Sequence, residues 1–250
     1  MKGILIFILL FLLPLHTFAE EITVAATANI GSALEELKVE FEKDSGDKLK
    51  VIIGSSGKLT TQIENGAPFD IFMSADMKYP QTLFEEGLAA QAPKVYAYGV
   101  LVLWSTKNLD LSTGVNVLTG PEIKKIALAN PQVAPYGREA VNVLKYYKLY
   151  SDVTKRLVYG ESIAQANDFI STQSADIGFT SKSTVLSPDL KDKGVWTEIP
   201  AESYNRIAQG MIILKHGKKN NLETAQKFYD FVFSAKAKSI LKKYGYLIDE

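Results

Sequence analysis

Short runs rich in β-branched residues alternate along the chain with stretches whose apolar positions recur at helical spacing. Residues 22–26 read as a strand and 32–43 as a helix that sets Leu34, Leu37 and Phe41 on one face. A strand at 48–53 leads to a short helix at 58–65, stopped by Gly66 and Pro68. Residues 70–74 read as a buried strand, followed by a helix at 80–86 that ends at Gly87. Further on, strands at 125–129, 156–158 and 176–180 alternate with helices at 137–147 and 163–171. Residues 222–241 read as one closing amphipathic helix. This order predicts an α/β protein whose mainly parallel sheets are covered by helices on both faces.

Two longer β-rich runs, 95–104 and 205–215, interrupt the alternation. Taken as crossings between two lobes, they place 20–98 and 210–250 in lobe 1 and 99–209 in lobe 2. A single continuous α/β domain is the alternative that the pattern leaves open.

The first stretch is read as an address. Lys2 supplies a positive start, residues 4–15 are almost wholly apolar, and Thr17-Phe18-Ala19 offers a small-x-small cleavage site. About twelve apolar residues are too few to span a bilayer as a helix. A signal peptide over 1–19 is therefore expected, with a mature chain that begins at Glu20, is exported and is soluble.

Composition then removes several functions. Lys and Arg total 28, as do Asp and Glu, so nothing favours nucleic acid or anionic lipid as a partner. The chain has no Cys, which excludes disulfides, thiolate metal sites and Cys nucleophiles. His16 belongs to the expected signal, leaving His216 alone in the mature chain, so a hydrolase triad or a multi-histidine metal site is not expected.

Four strand-to-helix junctions offer hydrogen-bond donors: Thr27-Ala28-Asn29-Ile30-Gly31, Gly54-Ser55-Ser56-Gly57, Ala134-Pro135-Tyr136-Gly137 and Gly160-Glu161-Ser162-Ile163. First-turn N–H groups have no intrahelical partner, and the helix dipole favours negative charge there. Ser and Asn add neutral donors, and open α/β sheets bind ligands beyond the carboxyl ends of their strands. Two junctions from each lobe could converge on one anion. Each junction alone is also what any α/β protein uses for capping and turning.

Two other leads fail. Gly54 to Thr60 echoes a phosphate-binding loop, but Ile52 stands where its first Gly is required and Leu59 separates Lys58 from Thr60. Asp70, Asp76 and Glu161 could suggest a metal or acid/base site. Asp70 opens a strand and Asp76 follows it, which favours solvated or capping roles.

The same segments resemble the periplasmic molybdate-binding proteins of ABC transporters, over nearly the whole mature chain. The resemblance is carried by Ala25-Ala26-Thr27-Ala28-Asn29, by Gly54-Ser55-Ser56-Gly57 with Gln62-Ile63-Glu64-Asn65-Gly66-Ala67-Pro68, and by Asp70-Ile71-Phe72-Met73-Ser74-Ala75-Asp76. Asn130-Pro131-Gln132-Val133-Ala134-Pro135-Tyr136-Gly137 and Lys243-Tyr244-Gly245-Tyr246 complete it. It implies a two-lobed type II periplasmic binding fold that clamps molybdate or tungstate in its interlobe cleft, with no cofactor and no catalysis. It also implies a monomer that delivers the oxyanion to a membrane permease.

Carried over by motif, the ligand positions fall on Asn29, Ser56, Tyr136 and Ile163, with Thr27, Ala28 and Ser55 of second rank. Asn29 and Ser56 are expected to donate through side chain and backbone, Tyr136 through its backbone and hydroxyl, and Ile163 through its backbone N–H. This sequence departs from the commonest pattern: Asn29 stands for Ser, Tyr136 for Ala, and Ser181 for a ligand-contacting Tyr. The expectation is that the Tyr136 hydroxyl replaces the one lost at Ser181.

Rival readings are a site for sulfate, phosphate or a carboxylate, the last recruiting Arg138 or Arg206, although Arg138 is expected to face solvent. An exported α/β hydrolase is the rival of another class, and no Gly-x-Ser-x-Gly elbow supports it. An adhesion or assembly protein would need repeats or an apolar stripe that the chain does not show.

Overall fold

A computed structural model describes residues 19–249. The expected signal peptide lies outside the described residues except for Ala19. Among the described residues ten strands form two five-stranded sheets. The first part of the chain supplies β1 (Glu21–Thr27), α1 (Gly31–Ser45), β2 (Lys48–Gly54), α2 (Ser56–Glu64), β3 (Ile71–Met73), α3 (Lys78–Glu85) and β4 (Lys94–Gly99). The second sheet follows with β5 (Leu101–Ser105), β6 (Ile126–Ala129), α4 (Pro135–Tyr146), α5 (Tyr150–Val153), β7 (Leu157–Gly160), α6 (Ile163–Ser171), β8 (Ile177–Ser181), α7 (Lys182–Val185) and β9 (Val195–Glu198). The chain then returns through β10 (Ile207–Ile213) to α8 (Lys215–Asn220), α9 (Leu222–Val232) and α10 (Ala235–Lys243).

Strand order is β2-β1-β3-β10-β4 in one sheet and β7-β6-β8-β5-β9 in the other. Both sheets are mixed. The strands nearest the helical crossovers pair in parallel, as β1 does with β2 and β3, and β6 with β7 and β8. The strands that carry the chain between sheets run the other way: β10 against β3 and β4, and β5 against β8 and β9. The mainly parallel expectation thus describes half of each sheet, because a crossing strand enters its neighbour from the opposite end.

Each sheet is buried on both faces. In lobe 1 one core joins Val24, Ile71 and Met73 to Leu34 and Phe41 of α1 and to Phe228 and Leu241 from α9 and α10. The opposite core sets Phe72 and Ile212 against Leu59 of α2 and Leu83 of α3. Lobe 2 repeats this plan, with Leu103 and Leu128 against Val143 of α4 on one side, and Trp104 and Ala127 against Ala166 and Ile170 of α6 on the other. β10 belongs to both lobes, since Ile207 packs in the lobe 2 core whereas Met211 and Ile213 pack in the lobe 1 core.

Two local expectations are corrected, and one short strand is found that the pattern did not predict. The closing helix is two helices, broken at Phe233-Ser234, where Ser234 Oγ accepts the Ala237 N–H at 3.2 Å and starts α10 afresh. The short edge strand β9 has too few residues to show a period. The β-rich run expected to end at residue 215 gives way to α8, whose Gly217 packs its backbone against Asp70.

Candidate functional site

All four junctions meet between the sheets. Thr27, Ala28, Asn29, Gly54, Ser55, Ser56 and Ala75 form one wall of a small cavity of ≈ 10 Å³, and Ala134, Pro135, Tyr136 and Ile163 form the other. Every lining residue is uncharged. The four primary candidates, Asn29, Ser56, Tyr136 and Ile163, are brought together with the second-rank Thr27, Ala28 and Ser55.

On the lobe 1 wall, Ser55 occupies the N-cap position of α2 without capping it. Its hydroxyl is buried and has no hydrogen-bond partner. A buried hydroxyl left unpaired costs about 1–3 kcal/mol, and this one belongs to a residue that lines the cavity. Ser56, wholly buried, accepts at Oγ from the Ala75 N–H at 3.2 Å and the Ser74 hydroxyl at 3.1 Å. Its own hydrogen is thereby left over for a further acceptor.

Asn29 differs from expectation. Its amide nitrogen donates to Gln209 Oε1 at 3.0 Å and to Tyr246 Oη at 3.2 Å, which uses both amide hydrogens. Its carbonyl accepts from the Ser183 hydroxyl at 2.7 Å. The side chain fixes the loop rather than donating into the cavity, which leaves the backbone N–H. The Thr27 hydroxyl likewise turns to the Met73 carbonyl, at 3.4 Å.

On the lobe 2 wall the donors are backbone. Ala134 and Pro135 open α4 with no side-chain cap, so the N–H groups of its first turn stay uncommitted within the helix. This start needs Gly137: a Cβ there would lie 2.0 Å from the Ala129 carbonyl oxygen at the end of β6. At α6, Ser162 is spent on the Gln165 N–H at 3.4 Å and Gln165 reaches back to the Glu161 N–H at 2.7 Å. The Ile163 N–H has no such partner four residues back.

The Tyr136 hydroxyl is engaged by Gln209, and Ser181 by its own helix. The phenol accepts from Gln209 Nε2 at 3.1 Å, whereas Ser181 caps α7 through the Thr184 N–H at 3.3 Å. Burial, with Tyr246 and Tyr96 nearby, pushes the Tyr136 phenol well above its ordinary value. Tyr246 is pushed up to about 12 by the same burial. Both stay neutral hydrogen-bonding groups across ordinary pH.

Contacts across the cleft hold it shut. Gly57 N–H donates to the Val133 carbonyl at 3.0 Å, Lys58 pairs with Glu161 at 2.7 Å, and Arg138 pairs with Asp76. Arg138 is thus an interlobe contact rather than a solvent-facing side chain. Arg206 stacks over Tyr98 and pairs with Asp249 at 2.6 Å, so neither arginine lines the cavity. Of the solvated or capping roles expected for Asp70 the solvated one does not hold: it is buried and accepts from the Thr23 N–H at 2.7 Å and Asn221 at 3.0 Å. Among the described residues no cluster of His, Cys, Asp and Glu could hold a metal ion.

Sequence reasoning missed the layer behind the walls. Ser74 and Tyr246 lie in segments that carry the resemblance but were given no role, and Tyr96, Ser183 and Gln209 carry no local motif that separates them from ordinary strand and loop residues.

Two mixed α/β lobes joined by crossing strands, with facing helix starts around an uncharged cavity, define a hinged solute-binding protein of the type II periplasmic fold. Residues 22–247 match the family described as bacterial extracellular solute-binding protein, and the chain belongs to that family. It is 38% identical to the molybdate-binding protein ModA of Azotobacter vinelandii over 91% of this chain and 90% of that one. To the molybdate-binding protein ModA of Rhodobacter capsulatus it is 34% identical, over 95% and 92% of the two chains. The solved Azotobacter vinelandii periplasmic molybdate-binding protein superposes with a TM-score of 0.87 at 34% identity, covering 92% of this chain and 100% of that one.

Proposed function

We propose that this chain captures molybdate, and tungstate with it, outside the cytoplasm and hands it to an ABC permease, without catalysing a reaction. The observation that carries the reading is the unpaired, buried Ser55 hydroxyl in a cavity lined by neutral donors and helix starts. The molybdate-binding relatives support the cargo. Ser55, Ser56 and the N–H groups of Asn29, Tyr136 and Ile163 would hold the dianion. Signal cleavage after Ala19, lobes at 20–98 with 210–250 and at 99–209, and a monomeric state belong to the same reading.

Hydrogen bonds to a charged group contribute about 1.5–3 kcal/mol each. About five to seven of them would leave submicromolar affinity after desolvation and closure. Molybdate and tungstate are nearly the same size and should compete. Sulfate is smaller, so donors on two walls held apart by packing cannot all reach it. Phosphate carries a proton at neutral pH, and the site is built to donate.

Calorimetric titration of the mature chain with molybdate, tungstate, sulfate and phosphate tests the reading. One-to-one binding of the first two alone is the expected result. Binding of sulfate or phosphate instead would change the cargo, and no heat from any of the four would remove the oxyanion altogether.

A further inference from the structure

Gln209 is wholly buried on β10, where that strand leaves one core for the other. The pairing with β4 slips register between Gln209 and Gly210, so the side chain sits at a bulge in the crossing. A buried carboxamide needs partners at both ends. Oε1 accepts from Tyr96 Oη at 2.7 Å and from Asn29 Nδ2 at 3.0 Å. Nε2 donates to Tyr136 Oη at 3.1 Å. One side chain that lies outside the cavity lining thus grips a residue from each wall.

Gly99 makes the grip possible. A Cβ at this last residue of β4 would lie 2.0 Å from Tyr136 Oη and 2.7 Å from Gln209 Nε2. The bonds to Tyr96 and Asn29 stay within lobe 1, and only the bond to Tyr136 spans the cleft. An opening motion would break the spanning bond and spare the other two.

We infer that Gln209 is a positioning residue that locks the two anion-presenting loops together on closure and sets how long the bound oxyanion is retained. The inference rests on the oxyanion reading above. Because the spanning bond exists only in the closed form, its loss acts on release and hardly on capture.

Stopped-flow capture and release of molybdate by the mature chain test this, with Gln209→Leu, Tyr136→Phe, Gly99→Ala and the double variant of the first two. Gln209→Leu and Gly99→Ala should raise the release rate on the order of 10-fold, with the capture rate changed less than about threefold. Tyr136→Phe keeps the ring and the backbone N–H and should also speed release. In the double variant the two effects should not multiply, because both remove one bond. A merely structural role would lower Tm without separating release from capture.

Unchanged release in Gln209→Leu and Tyr136→Phe, or fully multiplicative effects in the double variant, would overturn the inference and leave the oxyanion reading standing. Should Gln209→Leu fail to fold, release from Tyr136→Phe decides the matter. A wild-type chain that binds no molybdate removes the oxyanion reading first and this inference with it.

Discussion

On the lobe 1 wall of the cleft, Ser55 and Ser56 bring hydroxyls to the cavity, whereas the lobe 2 wall offers Ala134, Pro135, the Tyr136 ring and Ile163. Both walls end at helix starts, yet only the first offers free side-chain donors. On the second the Tyr136 hydroxyl accepts from Gln209, and the helix starts supply backbone N–H groups. The difference teaches that side-chain identity is a poor guide to what a wall contributes. Where the backbone carries the donors, what matters is whatever shapes the backbone.

The largest effect should therefore come from a residue that does not touch the cavity. Gly137→Ala would drive a methyl into the Ala129 carbonyl and displace the first turn of α4. Molybdate affinity measured by calorimetry should fall about 100-fold or more, equivalent to some 2.7 kcal/mol. Unchanged affinity would show that α4 contributes nothing.

Ser56→Ala comes next, on the opposite wall. It removes one donor to the anion and the acceptor for the Ala75 N–H, so affinity should drop on the order of 10- to 100-fold. The comparison breaks if this loss is smaller than that of Ile163→Ala. The latter substitution keeps the N–H and should change affinity less than about threefold, while costing about 2 kcal/mol or more of stability from the emptied core.

Acid–base behaviour sharpens the contrast least. No lining side chain titrates near neutrality, so affinity should stay flat from about pH 6 to 9. Stability behaves otherwise at high pH. Tyr246 ionises at about 12 in the fold against 10.0 ordinarily, so its protonated form is favoured there. That contribution is complete below pH 10 and lost as pH rises toward 12, which thermal unfolding across this range would register.

The same contrast explains what could be read in advance. Helical spacing and turn residues located all four junctions, because Gly, Ser and Asn mark strand ends and helix starts whatever they go on to do. The lobe 1 donors were legible as residues. On lobe 2 the helix starts were legible, but the choice of Ile163 came only through resemblance, since a backbone N–H leaves no trace in residue identity. The partners of the Asn29 amide, Gln209 and Tyr246, stand 180 and 217 residues away, beyond the reach of any local pattern. Ser234 offered a capping hydroxyl inside a long amphipathic run, and the helix broke there.

Crystals grown with tungstate and measured at the tungsten absorption edge would test the central claim directly. The account predicts one tungsten peak between Ser55, Ser56 and the first turns of α4 and α6, with oxygen and nitrogen donors about 2.7–3.0 Å from the tungstate oxygens and no Lys or Arg nitrogen among them. A peak held by Lys58 or Arg138, or a cleft without tungsten, would contradict it.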